Sequence, residues 1–153
     1  MYFWNIDALK DEIKRGDFGD EKAIAYIVIS LILYSILFEL VYLFPVTEER
    51  NTWDYVESVL SIVVPMMGIL YAYQKNGGAK GKDFANKYFS IGFVVGVRFM
   101  VYSTGLMIVL FFYWNYVFSE DEEIPTTFVE VALYSIWYTV FYYRIAKHVE
   151  DTI

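Results

Sequence analysis

The stretch from Phe93 to Phe118 constrains the fold more than any other part of the chain. Its 26 residues include a single charged side chain, Arg98. A helix of this length rises about 39 Å at roughly 1.5 Å per residue, more than the ~30 Å hydrocarbon thickness of a bilayer. The stretch therefore predicts a transmembrane helix, which would make the chain an integral membrane protein.

The composition points to the same location. Hydrophobic residues make up 58% and aromatic residues 21% of the 153 positions, above the roughly 45–50% apolar share of soluble domains. The length predicts one domain. Cysteine is absent, which excludes a disulfide framework, thiolate catalysis and cysteine-ligated metal sites. The first 22 residues are charged throughout and lack the pattern of a cleavable signal, so we expect the first span to be retained.

Four apolar stretches are long enough to cross a bilayer. The predicted spans cover about residues 23–44, 53–74, 88–118 and 127–146. Pro45 should end the first span, and Pro125 should lie in the first turn of the last helix. We therefore predict an all-α integral membrane protein, in which residues 20–153 form a four-transmembrane-helix bundle.

Residues 1–19 are predicted to form an N-terminal amphipathic helix, up to Arg15, followed by a linker on the cytoplasmic side. Apolar side chains recur there at i, i+4, i+7 and i+11: Tyr2, Ile6, Leu9 and Ile13. This spacing gives the helix one apolar face. Two interpretations fit equally: a helix lying in the membrane interface, or a solvated helix packed on the bundle.

The basic residues predict the orientation of the chain. Ten of the twelve Lys and Arg residues precede the first span, lie between the second and third, or lie at the end of the fourth and after it. Because positive charge is enriched in cytoplasmic loops, both termini and the middle loop are expected in the cytoplasm. The predicted location is the plasma membrane, or the inner membrane if the source is a Gram-negative bacterium.

Arg98 is the predicted centre of an intramembrane charge layer. Placing a guanidinium at the bilayer centre costs several kcal/mol, roughly 2.5 or more, so it requires partners. If its helix enters the hydrocarbon near Tyr88, Arg98 lies close to the midplane. Each other span supplies one acid in the outer half of the bilayer: Glu39, Glu57 and Glu130. We expect Glu39 or Glu57 to pair with Arg98.

Polar side chains share helix faces with these charges. The second span contributes Asp54, Ser58 and Ser61, the third Tyr102, and the fourth Tyr134 and Tyr138. Convergence of these faces has two interpretations. One is a hydrated cavity or ion site, and the other is a structural network that fixes helix register.

Small residues and proline mark the predicted helix-packing positions. Gly92 and Gly96 form a G-x-x-x-G pattern, which permits close helix approach within the bundle or between protomers. Pro65 should kink the second span, and Gly68 follows it on the same face. His148, the single histidine, lies in the terminal tail and is expected to be solvated.

The sequence supports no catalytic, metal or cofactor site and no nucleic-acid binding. The middle loop, KNGGAKGKDFANK, departs from the Walker pattern on both sides of Lys82. The favoured hypothesis is a non-catalytic membrane subunit, oligomeric with itself, that senses or transmits a signal and docks a cytosolic protein. The alternative is an oligomeric ion channel or small-solute transporter that uses the Glu/Arg layer. An intramembrane enzyme acting on lipid is disfavoured because its acids lack a nucleophile or metal.

Overall fold

Five α-helices account for most of the described chain. The computed structural model describes residues 1–42, 50–118 and 125–153. A 3₁₀ turn at Gly78–Lys80 lies between the third and fourth helices. The helices are α1 (Ile6–Arg15), α2 (Asp20–Tyr42), α3 (Thr52–Lys75), α4 (Phe84–Val117) and α5 (Phe128–Glu150).

The described helices agree with the all-α prediction, and each predicted span falls on one of α2 to α5. Within the described residues, two helices, α3 and α4, are long and apolar enough to cross a membrane by length and composition. The end of the first predicted span and most of the acidic loop after α4 lie outside the described residues. The predicted N-terminal helix is present as α1.

Local side chains fix where the helices begin. The Asn5 side chain accepts a hydrogen bond from the Ala8 amide at 3.1 Å, so α1 begins at Ile6 and excludes the first five residues. Asp83 precedes α4, but its side chain makes no capping hydrogen bond and its φ of 55° is left-handed. Pro125 is not in the first turn of α5, because Thr127 caps that helix.

α3 and α5 run parallel and remain in register along their whole length. The Trp53 and Phe128 rings lie 5.3 Å apart at one end, and Lys75 and Glu150 form a 2.9 Å ion pair at the other. Between them, Gly68 lies against the base of the Tyr142 side chain. The two helices therefore form a single pair within the fold.

α4 packs between this pair and α2, so the helices form a row in the order α2, α4, α5, α3. α4 is antiparallel to α5, since Gly92 lies near Ile145 and Trp114 bonds to Glu130 at the opposite end. A row differs from the expected bundle, in which the polar faces of all four helices would meet at one centre. Neighbouring helices instead share surfaces in pairs.

The buried hydrophobic core lies at the end of the row that holds both chain termini. We call this end the terminal end. Here α1 covers α4 beside the start of α2 and the end of α5. The core residues are Ile6, Leu9, Tyr26, Ile91, Phe93, Val94, Val95, Ile145 and Val149. The rest of the row has few buried side chains in the described residues.

The apolar surfaces of the long helices face outward. In the most apolar 18-residue windows, 6% of α3 and 22% of α4 are buried. Ile62 and Phe112 remain 69% and 66% exposed. The core helix of a water-soluble protein would be mostly buried, so these faces are typical of surfaces that a membrane or another protein covers.

Gly68→Ala tests the contact between α3 and α5. A Cβ at Gly68 would lie 2.4 Å from Cγ of Tyr142, and because that atom is near the main chain, the helices must separate. We expect a loss of about 1–3 kcal/mol in unfolding free energy, measured by denaturant titration in detergent micelles.

Gly105→Ala is the matched control, because a Cβ there meets nothing within 4 Å. Both changes give the same gain in helix propensity, so their difference isolates the packing contact. Equal stability of the two variants would contradict the α3–α5 contact.

Candidate functional site

Side-chain contacts attach the N-terminal segment to three different helices. We call these contacts the N-terminal docking cluster. It consists of four pairs: Tyr2 with Tyr26, Trp4 with Arg98, Lys10 with Asp151, and Glu12 with Lys22. The second residue of each pair lies in α2, in α4 or just after α5, so the cluster gathers three elements around α1.

Arg98 bonds to a backbone carbonyl instead of a carboxylate. Its Nε and one terminal nitrogen donate to the Trp4 carbonyl oxygen at 3.0 and 2.6 Å. The guanidinium also lies over the Trp4 ring, 5.5 Å from its centroid, a distance typical of a cation–π contact. Among the described residues, Arg98 forms no ion pair with a carboxylate. The expected pairing with Glu39 or Glu57 is therefore wrong.

Tyr26 holds the chain just before α1. Its hydroxyl accepts a hydrogen bond from the Tyr2 amide at 2.6 Å and donates to the Tyr2 carbonyl at 3.2 Å. The Tyr26 ring is 1% exposed and packs edge-on against Phe93 at 5.4 Å. Phe3 packs on the same Phe93 ring at 5.6 Å. Tyr2 and Phe3 thus pack against the core from outside.

Glu12 ties α1 to the beginning of α2. It is 6% exposed, and its carboxylate accepts a hydrogen bond from the Lys22 ammonium. This bond, with a smaller contribution from the Tyr2 hydroxyl, holds the pKa of Glu12 below its ordinary value although burial acts in the opposite direction. A buried carboxylate without such a partner would be costly, so the pair stabilises the docked position of α1.

Lys10 connects α1 to the C-terminal tail. Its ammonium lies 3.0 Å from Asp7 and 3.0 Å from Asp151. Burial disfavours the charged form, but the hydrogen bonds to Asp151 and Asp7 outweigh it and raise the pKa of Lys10. The hydrogen bond from Lys10 lowers the pKa of Asp151.

His148 lies beside this contact and is not solvated as expected. Its side chain is 12% exposed, with Nδ1 3.6 Å from Asp151. Burial, and then the positive charges of Lys10 and Arg144, lower the pKa of His148. The neutral imidazole is therefore favoured while Lys10 occupies Asp151.

Asn76 organises the connection between α3 and α4, a role that the sequence interpretation missed. It is 2% exposed, donates to the Lys82 carbonyl at 3.2 Å and accepts from Lys87 at 3.3 Å. A Cβ at Gly81 would lie 2.0 Å from the Asn76 carbonyl oxygen, so glycine is required there. The glycines that follow Asn76 in the sequence are the signal that could have indicated this tight connection.

Glu130 has a local structural partner at the opposite end of the row. One carboxylate oxygen accepts from Trp114 Nε1 at 2.7 Å, and the other accepts from the Thr127 amide at 2.7 Å. Together Thr127 and Glu130 form a capping box at the start of α5. The Thr-x-x-Glu pattern could have revealed this arrangement in the sequence.

Asp54 has the same role at the start of α3. Its carboxylate accepts from the Asn51 amide at 2.6 Å, completing a second capping box. The Asn51 side chain donates to the Thr126 carbonyl at 2.8 Å, which links the two helix starts. Asp54 and Glu130 therefore cap helices, and the predicted charge layer did not anticipate this.

The remaining predicted polar residues do not converge with Arg98. Glu39 is exposed, and Glu57 is half-buried, near the charges of Asp54 and Glu130. Ser58 and Ser61 each donate at 2.8 Å to a carbonyl of their own helix. Tyr102 and Tyr138 are exposed, whereas the Tyr134 hydroxyl lies 4.0 Å from Met107 Sδ.

The predicted packing positions behave differently from one another. Gly68 permits the close contact with Tyr142, and Pro65 lies within the continuous helix α3. At Gly96 a Cβ would meet nothing within 4 Å, and at Gly92 it would reach Ile145 at 3.7 Å. Among the described residues, Gly92 therefore lies at ordinary contact distance from α5, and Gly96 makes no close helix contact.

Comparison with known proteins adds no relative: no family model, curated protein or solved structure matches this chain. A functional proposal therefore depends on the geometry of its residues. The N-terminal docking cluster joins residues far apart in the sequence, from the first residues of the chain to α2, α4 and the residue after α5.

Arg98→Gln should release the N-terminal segment, because glutamine is shorter and uncharged and loses both bonds to the Trp4 carbonyl. Hydrogen bonds to charged groups contribute about 1.5–3 kcal/mol. We therefore expect roughly tenfold or faster hydrogen–deuterium exchange in α1, measured by mass spectrometry on the purified protein.

Arg144→Gln serves as the control for Arg98→Gln, since Arg144 is an exposed arginine of α5 and its loss changes the net charge equally. It should leave exchange in α1 nearly unchanged. Identical exchange in both variants and in the unmodified protein would show that Arg98 does not hold the segment.

Proposed function

We propose that the protein is a non-catalytic, multi-pass membrane subunit that transmits a change among its transmembrane helices to a cytosolic partner bound at α1. In this proposal α2 to α5 all span the membrane and both termini are cytoplasmic. The observation that carries the proposal is the N-terminal docking cluster, which ties α1 and the residues before it to α2, to α4 and to the residue after α5.

The outward apolar faces support the membrane location. α3 and α4 have the length and composition of spans, and their exposed surfaces are apolar. α5 runs parallel to α3 in register, so a bilayer that contains α3 would also contain most of α5. Between Ala23 and Tyr42, α2 carries one charge, Glu39, which is compatible with a further span.

We place the cytosolic boundary of the hydrocarbon near Arg98 and not near Tyr88. Arg98 contacts the segment that continues into Asp7, whose side chain is 79% exposed. Such a charged side chain belongs in the polar interface. The 20 residues from Arg98 to Val117 then rise about 29 Å over 19 steps, close to the ~30 Å of a hydrocarbon core.

The contacts of α1 suggest how a signal would pass. Lys22 of α2 donates a hydrogen bond to Glu12 of α1, and Arg98 of α4 donates to the Trp4 carbonyl. Lys10 of α1 donates to Asp151, which follows α5. A shift of one helix relative to the others cannot preserve all these bonds. Transmission would therefore consist of a movement of α1 between a docked and a released position.

The outer face of α1 is the proposed partner site. Its inner face is buried through Ile6 and Leu9, whereas Asp11, Lys14 and Arg15 are exposed. A charged face with both signs is suited to a protein surface of complementary charge. Self-association and the role of the middle loop in docking remain predictions from the sequence.

The channel alternative receives less support from the placement of charges. Arg98 is engaged at the terminal end, whereas Glu130 caps α5 at the opposite end. A conducting path would need these groups to line a common lumen formed by several protomers.

Neutralising the outer face of α1 tests the proposed function. Lys14→Gln with Arg15→Gln should reduce recovery of a cytosolic protein with the tagged membrane protein from its own host several-fold, because the charge complementarity is lost. Recovery is measured by quantitative mass spectrometry of the purified complexes.

Arg144→Gln with Lys147→Gln is the matched control. Both residues are exposed at the terminal end, and the double change removes the same charge without altering α1. Equal loss in both variants, or no recovered partner in the unmodified protein, would contradict docking through α1.

A further inference from the structure

One carboxylate oxygen, Oδ2 of Asp151, faces two basic side chains where α1 meets the end of α5. It accepts a hydrogen bond from the Lys10 ammonium at 3.0 Å and lies 3.6 Å from Nδ1 of His148. Because both nitrogens face one oxygen, they lie within about 7 Å of each other, where two positive charges repel. Lys10 and a protonated His148 would therefore compete for Asp151.

Lys10 has a second acceptor, and this one belongs to its own helix. Its ammonium also lies 3.0 Å from the carboxylate of Asp7, one turn earlier in α1. The bond to Asp151 joins α1 to the tail of α5, whereas the contact with Asp7 remains within α1. Lys10 can consequently give up Asp151 and still keep a carboxylate partner.

The imidazole of His148 has an unused nitrogen. Nδ1 is buried and has no hydrogen-bond partner among the described residues, since 3.6 Å is longer than the 2.7–3.2 Å of an N–H···O bond. Protonation places an N–H on both ring nitrogens. The Nδ1–H would then face Asp151 and could form a charge-assisted hydrogen bond after a small movement of the ring.

The charged groups that act on His148 come from α1 and from α5 with its tail. They are Lys10 of α1, Arg144 of α5 and Asp151. The charge of Arg98 in α4 acts on Asp7. Lys75 of α3 pairs with Glu150 at 2.9 Å, about 200° around α5 from His148 at roughly 100° per residue. A proton on His148 thus meets two nearby cations and one nearby acid.

The docked position of α1 disfavours the protonated imidazole. Burial and then the charges of Lys10 and Arg144 lower the pKa of His148. Departure of Lys10 removes one of these causes, so the pKa rises toward its ordinary value of about 6.5. The docked position is therefore fully stabilised above about pH 6.5 and loses stability as the pH falls below it. By linkage, a proton favours the released position.

The proposed membrane orientation gives His148 access to protons from the cytosol. His148 follows Ile145, which lies near Gly92 of α4. Gly92 is about 9 Å from Arg98 along α4, on the side of the terminal end. With the hydrocarbon boundary near Arg98, His148 lies on the cytosolic side of that boundary.

We propose that His148 is a proton-sensitive switch for α1, in which the protonated imidazole takes the Asp151 carboxylate from Lys10 and releases α1 from the tail. The proton comes from the cytosol and adds to the imidazole, while Lys10 keeps its own protons and its contact with Asp7. One hydrogen bond to Asp151 breaks and another forms. The switch would regulate the partner site on α1, so its role in signalling rests on the proposed function.

Hydrogen–deuterium exchange of the full-length protein at about pH 7 and about pH 5 tests the switch, because these values lie on either side of the ordinary histidine pKa of about 6.5. Labelling times are scaled for the intrinsic pH dependence of amide exchange. We expect several-fold faster scaled exchange in α1 at the lower pH and no change in α3. Asp7, Glu12 and Asp151 remain ionised, because hydrogen bonds from lysines lower their pKa values.

Two variants should abolish the pH response. His148→Gln removes the titrating group and should leave α1 docked at both pH values. Asp151→Asn removes the shared acceptor and should give faster exchange in α1 at both. Because these changes lie on different elements, the test does not depend on the folding of one variant.

Arg144→Gln is the matched control, since it removes a charge near His148 and leaves Asp151 in place. It should keep the pH response and move its midpoint to higher pH, because the charge of Arg144 lowers the pKa of His148. An unmodified protein with no pH response in α1, or a response of the same size in His148→Gln, would overturn the switch.

Recovery of the cytosolic partner at the two pH values separates the switch from the proposed function. Partner recovery that is lost in Lys14→Gln with Arg15→Gln, without any pH response in α1, would overturn the switch alone. A pH response in α1 that His148→Gln abolishes, without any recovered partner, would overturn the proposed function and leave the switch.

Discussion

A guanidinium in a helix as apolar as α4 must find hydrogen-bond acceptors, and the Trp4 carbonyl provides the acceptor for Arg98. The fold depends on this bond, because it brings the N-terminal segment back along α4. Ile6 and Leu9 can then pack on the core, and Tyr26 can hold the preceding residues. A carbonyl acceptor also leaves the acidic residues of the other helices free for different roles.

The helices pack in pairs, and each pair carries a different feature of the fold. α3 and α5 form one in-register pair through Gly68 and two linked capping boxes, while α4 joins this pair to α2. α2 and α5 both contact α4, and Gly92 of α4 lies near Ile145 of α5. The proposed signalling element therefore involves α2, α4 and the residue that follows α5.

The sequence predicted the helical elements well, because apolar length and helix-breaking residues are local signals. Apolar spacing likewise identified α1. Long-range pairing could not be predicted: nothing in the sequence indicates that Arg98 meets the backbone of Trp4 and not a side chain of another span. Glu130 was assigned to the intramembrane charge layer, but it belongs to the capping box of α5. An acid at the third position of a helix can accept a hydrogen bond from the N-cap amide as readily as it can pair with a distant cation. Gly96 illustrates the same limit, since small residues permit either a close contact or an open space.

The depth of α4 in the bilayer tests the central claim most directly. Nitroxide labels at exposed positions Phe89, Val101 and Ile108 would be compared in liposomes by their accessibility to oxygen and to a water-soluble nickel complex. With Arg98 near the boundary, oxygen accessibility is greatest at Ile108, and the nickel complex reaches Phe89. If Val101 is the deepest position, with Phe89 and Ile108 similarly shallow, Arg98 lies near the midplane and the account is contradicted.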